Sequence, residues 1–494
     1  MLIIYLSLCL LVSLLVGSII KPRNFPLGPI WLPIVGSLPR VQKLSKKLGG
    51  LHLSFLELTK EFKTNVLGLK LGNDIVVVIS SYPLIREVLT NGNYDGRPDN
   101  FFVRLRCYGT RRGITCTDGP FWKAQKVFVS SHLSSLGFGK RIMEHKIREE
   151  LEEVLAVIKS DGKKLYIGRV VSQAVINVLW SITAGKRISK EDLRFNKLLD
   201  LLAKRTRAFD MSGGLLGQYP WLRFIAPEKT GYNLIKSLNE EIKEFFMETI
   251  NEHNETWTED RDDDLIYAFI SEMKRPGRDH AMFSIQQLLM ICLDLFIAGS
   301  NATSNTIDFA LLTMLLHPDI QDKVQDSLDG YYKEHRNLDY HDRDHIPYVE
   351  AVLSEIERYC NVAPLIGPRR VSEDTMLEGY LIPKNSTVLV NAYSIYVDKE
   401  IWKDPEVFRP ERFLDSKGKF VYNKVLMPFG LGRRRCLGES LARHCVFIFF
   451  SEILRNYTIR PVEGLPLPTL KPLPGLTLSP QKYLARFVPR KNVP

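Results

Sequence analysis

A glycine-framed cysteine loop is the feature that most constrains the fold of this 494-residue chain. It reads Phe429-Gly-Leu-Gly-Arg-Arg-Arg-Cys-Leu-Gly438 and is followed by an apolar run with helical spacing. Its first two glycines permit a tight backbone turn. Cys436 lies just before the predicted helix, where free N–H groups and the helix dipole favour a thiolate. The loop therefore predicts a cysteine presented to a ligand.

The other residues of the loop predict what that ligand is. Gly438 leaves the turn beside the cysteine without a side chain, so that a flat cofactor can approach. Arg434 offers a planar fork for a carboxylate. Thiolate ligation suits haem iron, because the sulfur donates electron density that favours cleavage of an O–O bond. The alternative is a structural cysteine that happens to lie beside a basic surface loop.

The pattern F-x-x-G-x-R-x-C-x-G resembles the haem-binding signature of the cytochrome P-450 superfamily, and the resemblance extends over nearly the whole chain. The chain is most similar to anchored microsomal animal enzymes of the second clan, and to insect enzymes among them. The resemblance implies a mainly α fold with small β-sheets, the cytochrome P-450 fold, preceded by an N-terminal transmembrane helix. It also implies haem b, with Cys436 as the axial thiolate ligand of the iron and with Phe429 and Gly438 beside it.

Two further segments match the family. Glu355 and Arg358 stand at i and i+3 in a predicted helix and match its E-x-x-R pattern, although alone they would be an ordinary surface ion pair. Arg412, in the segment Pro-Glu-Arg-Phe, resembles the third member of the family's Glu-Arg-Arg network. The resemblance gives this network a structural role, which is to hold the cysteine loop in place.

The two haem propionates require cationic or N–H donors. The resemblance assigns this role to Arg97, Trp122, Lys126, Arg369 and Arg434. Lys126 is a departure, because the family has arginine there and lysine gives a point charge without the planar fork. We expect Lys126 to keep a propionate contact with weaker geometry.

The segment Ala298-Gly-Ser-Asn-Ala-Thr303 resembles the family's oxygen-binding stretch at its first two residues, whose small side chains leave room for dioxygen. Asn301 and Ala302 replace the acid and the threonine that usually deliver protons. Thr303 is one helical step, about 100°, away from the position of that threonine.

The resulting candidates for the catalytic positions are Asn301, Ala302 and Thr303. Protons could then come from water held by Asn301 or Ser300, or from a hydroxyl group of the substrate. The reaction could also proceed without these protons.

The N-terminus predicts a membrane anchor. Residues 2–20 carry no charge, and about 19 residues span roughly 28 Å, close to the thickness of the bilayer core. Lys21 and Arg23 follow directly, which places the remainder of the chain in the cytoplasm and predicts that sequons such as Asn254 stay unglycosylated. The alternative is a cleaved secretory signal. We expect an anchor at 2–20, a Pro/Gly-rich hinge at 21–40 and one catalytic domain at 41–494.

Within the body, helical spacing dominates the centre and predicts helices at 139–159, 166–187, 191–209 and 230–254. Ser284 and Gln287 form a predicted capping box before a helix of about 33 residues. A hairpin is predicted at 66–79, a helix at 346–361, strands near 369–390 and strand fragments in the Pro-rich tail.

The net charge of +11 and the absence of a basic block interleaved with aromatic residues argue against nucleic-acid binding. No glycine-rich nucleotide fingerprint follows a predicted strand, so electrons must come from another protein. By resemblance, the partners are the NADPH-cytochrome P-450 reductase of the endoplasmic reticulum, with cytochrome b5 as a second candidate. A basic surface would attract the reductase, and its predicted residues are Lys123, Lys424, Arg433, Arg435 and Arg443.

Three functions remain open from the sequence. The first is a monooxygenase that inserts one atom of O2 into a lipophilic small molecule, such as a steroid-like or isoprenoid lipid. The second is a haem-thiolate isomerase or dehydratase that uses no external electrons. The third is a non-catalytic haem-binding or lipid-binding membrane protein. The pocket is predicted to draw on 101–117, 205–220, 296–302 and 363–367.

Overall fold

The structure is a computed structural model that describes residues 1–189, 191–208, 214–277 and 279–491. The α-helices in these ranges are α1 (Leu2–Ile19), α2 (Leu38–Leu48), α3 (Leu51–Glu61), α4 (Tyr82–Thr90), α5 (Phe101–Arg106), α6 (Gly119–Ser135), α7 (Arg141–Asp161), α8 (Ile167–Thr183), α9 (Leu193–Ala208), α10 (Gly214–Gln218), α11 (Tyr232–Glu255), α12 (Leu265–Lys274), α13 (Ile285–Leu316), α14 (Pro318–Tyr332), α15 (Pro347–Cys360), α16 (Ala392–Tyr396), α17 (Lys399–Trp402) and α18 (Glu439–Asn456).

The strands are β1 (Val66–Leu71), β2 (Asp74–Ile79), β3 (Leu365–Arg370), β4 (Thr375–Leu377), β5 (Tyr380–Ile382), β6 (Thr387–Asn391), β7 (Tyr457–Pro461) and β8 (Ala485–Pro489). Short 3-10 helices lie at Gly92–Tyr94, Pro220–Phe224, Tyr340–His345, Pro410–Phe413 and Gly432–Arg434. The predicted helices and the predicted hairpin are confirmed, with ends that differ by a few residues.

Helix α13 is the centre of the larger hydrophobic core. Its 32 residues make it roughly 48 Å long, and it packs against α8, α15 and α18. Ser284 caps it by accepting a hydrogen bond from the backbone N–H of Gln287. The Gln287 side chain does not complete the predicted capping box, because its oxygen accepts the N–H of Gly113 at 3.0 Å instead. The start of α13 is therefore tied to the loop before α6.

The main sheet joins distant parts of the chain in the order β1-β2-β6-β3. Strands β1 and β2 form an antiparallel hairpin, whereas β2 pairs in parallel with β6, with Val76 opposite Thr387. Strand β2 is rich in Val and Ile, the residues that suit a buried strand, and its last four residues are buried. The sheet carries a second core beside the helical one.

The N-terminal helix α1 carries no charged residue and is long and apolar enough to span a bilayer, and most of its described side chains are exposed. Helix α13 passes the same test of length and hydropathy, but more than half of its most apolar window is buried. The segment after α1 lies along β1: Gly68 donates its N–H to Leu27, and Gly36 forms a bridge with Leu71. Lys70 also donates to the carbonyl of Ser18 at the end of α1.

Two groups of exposed apolar side chains lie close to this end of the molecule. One is on the segment after α1 and includes Ile30 and Ile34. The other follows α10 and consists of Trp221, Phe224 and Ile225. The second group is placed near β1 because the adjacent Tyr219 packs against the core cluster that contains strand β1.

Candidate active site

The cysteine loop has the tight geometry that its glycines predict. Gly430 and Gly432 have φ values of 69° and 70°, which only glycine adopts without strain. A Cβ at Gly432 would lie 2.2 Å from the carbonyl oxygen of Leu89, so the loop also approaches α4 closely. The N–H of Cys436 donates to the carbonyl of Phe429 at 3.0 Å, which closes the loop.

Cys436 is accessible at the start of α18, but its pKa does not follow the prediction from the helix dipole. Burial of the thiol by surrounding protein raises its pKa, and the N–H of Gly438 lowers it by less. Desolvation therefore outweighs the helix terminus. A bound metal cation deprotonates a coordinating thiol outright, so a thiolate at Cys436 would owe its charge to the metal.

Gly438 has a φ of −88°, so its backbone does not require glycine. The nearest protein atom to a Cβ built there is the Sγ of Cys436, at 4.0 Å. Packing within the protein therefore does not explain the missing side chain. A flat group above the sulfur does explain it.

The Glu-Arg-Arg network forms as predicted and is almost completely buried. Arg358 makes two hydrogen bonds of 2.7 Å to Glu355, and the Nε of Arg412 donates to the same carboxylate at 3.0 Å. Arg358 also donates to the backbone carbonyls of Tyr396 and Pro405. Burial distinguishes this network from a surface ion pair, since the exposed fractions of Glu355 and Arg358 are 0% and 2%. This is not a surface ion pair.

The network reaches the cysteine loop through α15 and α18. Glu357, on the same helix as Glu355, pairs with Arg443 of α18 at 3.5 Å. The guanidinium of Arg443 lies 4.8 Å from the ring centroid of Phe429, the first residue of the loop. The hydroxyl of Tyr396 accepts the N–H of Met427, just before the loop. The loop is thus held from two sides.

Three of the predicted propionate donors, Arg97, Arg369 and Arg434, form what we call the arginine cluster. Arg97 donates to the carbonyl of Pro368 at 2.6 Å, and Arg434 donates to the carbonyls of Asp95 and Thr117. The guanidinium of Arg434 stacks 3.7 Å from the ring centroid of Trp122. Arg369 lies 3.4 Å from the carboxylate of Asp95.

The arginine cluster is short of negative charge. Burial lowers the pKa of Arg369 and of Arg434 to about 9, and repulsion from Arg97 adds to the shift. Within the described residues, the buried Nε atoms of Arg97 and Arg369 have no hydrogen-bond partner. Two carboxylates placed here would satisfy these donors and relieve the repulsion. The chemistry of the cluster therefore fits a cofactor that carries two propionates above Cys436.

Lys126 contacts the cysteine loop, and its contact with a propionate stays a prediction. Its Nζ donates to the backbone carbonyl of Arg433 in the cysteine loop, and it lies 5.3 Å from the ring centroid of Trp122. Burial lowers the pKa of Lys126, and the charge of Arg434 lowers it further. The lysine therefore lies beside the arginine cluster, but it holds the loop backbone.

On α13, one face is open at Ala298, which is exposed, and at the half-buried Ala302 one turn later. The adjacent Gly299 is half-buried, as Ala302 is, and its role in leaving room for dioxygen stays a prediction. A Cβ at Gly299 would lie 2.5 Å from the Cδ2 of Leu179, so this glycine allows α8 to pack closely. Ser300 is buried, with 1% exposed, and donates to the carbonyl of Ile297.

The three candidates for proton handling are not equivalent. Asn301 donates from its amide to the Oγ1 of Thr206 on α9 at 3.1 Å. Thr303 is buried and lies about 100° around α13 from Ala302, and its catalytic role stays a prediction. The hydroxyl of Thr306, which shares the face of Ala302, donates to the carbonyl of Ala302 at 2.9 Å.

Sequence reasoning missed the role of Asp294 on α13. One of its carboxylate oxygens pairs with Arg106 at 2.5 Å, and the other accepts the N–H groups of Ile114 and Thr115 at 2.6 and 2.8 Å. Both charged side chains are buried. The signal in the sequence was an acid within an apolar helical run, which α13 shows twice, at Asp294 and Asp308.

Asp118, which precedes α6, was also missed. Its Oδ2 accepts from the backbone of Arg97 and from the side chains of Arg111 and Arg370, all at 2.8 or 2.9 Å. These bonds lower the pKa of Asp118 to about 2 against the opposing effect of burial. Asp118 thereby fixes the backbone that carries Arg97.

A cavity of about 240 Å³ lies next to the arginine cluster and shares Arg97 with it. Three of the four predicted segments contribute to its wall, through Phe102 and Thr115, through Arg205, and through Gly367. Residues 296–302 are not part of the wall, and residues 209–213 of the predicted pocket lie outside the described residues. The remaining wall comes mainly from the sheet, including Leu71, Val76 and Leu389, which the sequence did not indicate.

The basic residues near the cysteine loop are less free than predicted. Arg433 pairs with Asp95 at 2.6 Å, Arg435 pairs with Glu439, and Arg443 bridges Glu439 and Glu357. Arg433 and Arg435 nevertheless keep 65% and 57% of their side chains exposed. Lys123 and Lys424 are exposed, and neither is in an ion pair within the ranges that the structure describes.

Comparison with known proteins gives consistent matches over the whole chain. Residues 26–487 match the family model described as Cytochrome P450. A Drosophila melanogaster protein described as Probable cytochrome P450 305a1 is 42% identical over 492 residues, with 96% of both chains covered. The Bombyx mori Farnesoate epoxidase is 35% identical over 492 residues, with 99% of both chains covered. The Homo sapiens Cytochrome P450 2J2 is 34% identical over 477 residues, which cover 95% of this chain and 92% of that protein.

Proposed function

The chain belongs to the cytochrome P450 family, whose members bind haem through a cysteine thiolate, and it is a monooxygenase; from this premise we propose that it oxygenates a lipophilic small molecule with electrons from NADPH. The observation that carries the proposal is the cavity that adjoins the arginine cluster and whose wall is mainly apolar surface. Such a cavity buries a lipophilic molecule beside the cofactor edge. A relative named for the epoxidation of farnesoate supports an isoprenoid or similar lipid as substrate.

In this proposal, Cys436 binds the iron, and the arginine cluster holds the propionates together with Trp122. The haem supplies the activation of dioxygen and the transfer of one oxygen atom to the substrate. The buried Glu355 network fixes the loop that carries Cys436, so contacts within the protein, rather than the bound haem, set the position of the sulfur. Lys126 supports the same loop from the other side.

Proton handling must use groups on or near the open face of α13. Ala302 offers no proton, and the amide of Asn301 is engaged with Thr206. The hydroxyl of Thr306 donates its hydrogen bond to the carbonyl of Ala302. The lone pairs of its Oγ1 can therefore accept a hydrogen bond from a water molecule on the same face. We therefore assign proton delivery to ordered water near Thr306 and Asn301, with a substrate hydroxyl as the other source.

The electron donor in this proposal is the NADPH-cytochrome P-450 reductase, with cytochrome b5 as a second donor. The exposed cations around the cysteine loop support an acidic partner at this surface. We also propose that the protein lies in the endoplasmic reticulum membrane with its catalytic domain in the cytoplasm. Asn254 is an exposed sequon residue, so the absence of an N-glycan there would agree with this orientation, and a glycan would contradict it.

The experiment that tests the proposed function is turnover of a lipid panel by the haem-loaded protein with reductase. We expect product only when both NADPH and oxygen are present. Product formed without NADPH would instead identify the isomerase or dehydratase. The ferrous carbon monoxide complex should absorb far to the red of a histidine-ligated haem, and Cys436→Ser should abolish that band.

A further inference from the structure

Arg205 presents an unpaired guanidinium to the cavity. It lies near the end of α9 and is part of the cavity wall, with 4% of its surface exposed. No hydrogen bond or ion pair joins it to any residue in the described ranges. A buried charge without a partner is costly, and proteins keep such a group where a ligand completes it.

From this geometry we propose that the substrate is a long-chain carboxylic acid whose carboxylate pairs with Arg205 while its chain lies along the apolar wall. The inference rests on the proposed function and names the chemical class of its substrate.

The surrounding charges leave Arg205 in need of an anion. Burial lowers the pKa of Arg205 to about 10, and repulsion from Arg106 lowers it further, against smaller opposing effects of Cys116, Cys107 and Asp294. Arg106 is itself neutralised, because it already holds the carboxylate of Asp294. Arg97 also lines the cavity, but it is held by the backbone carbonyls of Gly367 and Pro368 and belongs to the arginine cluster.

Asp74, the one carboxylic acid among the described residues of the cavity wall, does not supply the missing charge. Asp74 lies in the wall, and burial raises its pKa, but it makes no ion pair with Arg205. The pair between Arg106 and Asp294 shows the geometry that a guanidinium here can offer to a carboxylate. A ligand carboxylate would give Arg205 the same kind of partner.

The position of Arg205 is fixed by its neighbour. Thr206 accepts a hydrogen bond from Asn301 of α13 through its side chain, and its carbonyl accepts the N–H of Leu476 at 3.0 Å. Leu476 also lines the cavity. Both contacts hold the end of α9 against the core, so little ordering of Arg205 is required when an anion binds.

The remainder of the wall explains why the anion should carry a long chain. Leu71, Val76, Val103 and Leu389 are apolar and lie around the same cavity. One planar guanidinium matches one carboxylate through two parallel N–H···O bonds. A neutral ester or hydrocarbon would fill the apolar part and leave Arg205 unpaired.

The test compares farnesoic acid with methyl farnesoate, which differ only in the charged group. Affinities are measured by calorimetry on the haem-loaded, full-length protein in lipid nanodiscs, so the readout does not depend on turnover. We expect the wild type to bind the acid about 10- to 100-fold more tightly than the ester. Arg205→Gln should remove that preference and leave the affinity for the ester within about 3-fold, since the ester makes no charge-assisted bond.

Arg207→Gln is the matched control, because Arg207 lies two residues away on the exposed side of α9. It should keep the full preference for the acid. If Arg205→Gln does not fold, Arg205→Met replaces it, since removal of an unpaired buried charge is expected to preserve or raise stability.

Equal affinity of the wild type for acid and ester would overturn the inference, as would failure of the acid to bind. A preference for the acid that survives in the folded Arg205 variant would also overturn it, because another group would then hold the carboxylate. In any of these cases, oxygenation of the ester that requires NADPH and oxygen would leave the proposed function intact. The two claims therefore fail separately.

Discussion

At the scale of the residue, Asp308 of α13 is a buried carboxyl group in a tight place. A Cβ at Gly168 of α8 would lie 2.3 Å from its Oδ2, and the hydroxyl of Tyr483 lies beside it. Burial raises the pKa of Asp308 from 3.8 to about 7, against a smaller opposing effect of Tyr483. The folded state therefore holds a proton on Asp308 that the unfolded state releases.

This shift predicts a pH-dependent stability. When folding raises the pKa of a carboxyl group, the protein loses stability as the pH rises from the unfolded-state pKa to the folded-state pKa. For Asp308 this range lies between 3.8 and about 7. The cost reaches roughly 4 kcal/mol above the folded pKa. Asp308→Asn should therefore unfold at higher denaturant concentration than the wild type at about pH 8, with a difference that shrinks toward about pH 5. An advantage that is equal at both pH values would contradict the assignment.

Ala302 gives a second prediction at this scale. A threonine there would place a hydroxyl on the open face of α13 at the position that the family normally uses for proton delivery. A positioned proton donor is worth about 10²- to 10⁴-fold in rate, so even part of this effect should be visible. We expect Ala302→Thr to increase the product formed per NADPH consumed. Thr303→Ala, at a buried position off that face, should leave the ratio unchanged.

At the scale of the element, Asp294 joins α13 to the loop between α5 and α6. It holds the side chain of Arg106 and two backbone N–H groups of that loop. Asp294→Asn would leave the buried guanidinium of Arg106 without its counter-charge. We expect a loss of about 3–5 kcal/mol in the free energy of unfolding, measured by denaturant titration.

The control for Asp294 is the exposed pair of Arg40 with Glu61, whose side chains are 48% and 41% exposed. Glu61→Gln should cost less than about 1 kcal/mol, because solvent screens a surface pair. A similar cost for the two variants would mean that the Asp294 contact contributes no more than a surface ion pair.

These elements also show what the sequence can and cannot predict. The cysteine loop and the capped start of α13 were predictable, because local spacing and backbone chemistry determine both. The Arg106–Asp294 pair was not, since its members are 188 residues apart and only the folded chain brings them together. The close approach of Gly299 to Leu179 of α8 was not predictable either, because a small residue suits a cofactor and a neighbouring helix equally well. The contact of Lys126 with the loop carbonyl depends on the path of that loop, which no motif encodes.

At the scale of the whole molecule, charge around the cysteine loop should govern electron transfer. Arg433 is a poor probe, because its partner Asp95 also contacts the arginine cluster. Lys123 and Lys424 are better, since both are exposed. Lys123→Glu with Lys424→Glu should slow reduction by the reductase about 10-fold at low salt, and less at high salt.

Stopped-flow measurement of haem reduction checks this prediction. Lys236→Glu, on α11, reverses an exposed charge on a helix that packs against α9 and α13, and should have little effect. Equal rates for the wild type and the double variant at every salt concentration would place the docking surface elsewhere.

The contacts between the end of α1, the segment after it and β1 have one more consequence. They hold the cavity wall at Leu71 close to the apolar side chains around Ile30 and Trp221, at the end of the body from which the anchor leaves. With the proposed anchor in the membrane, we expect the enzyme to draw its substrate from the lipid phase rather than from bulk water. Its apparent Michaelis constant, expressed per litre of assay, should then rise in proportion to the amount of phospholipid added, while the constant expressed per mole of lipid stays the same.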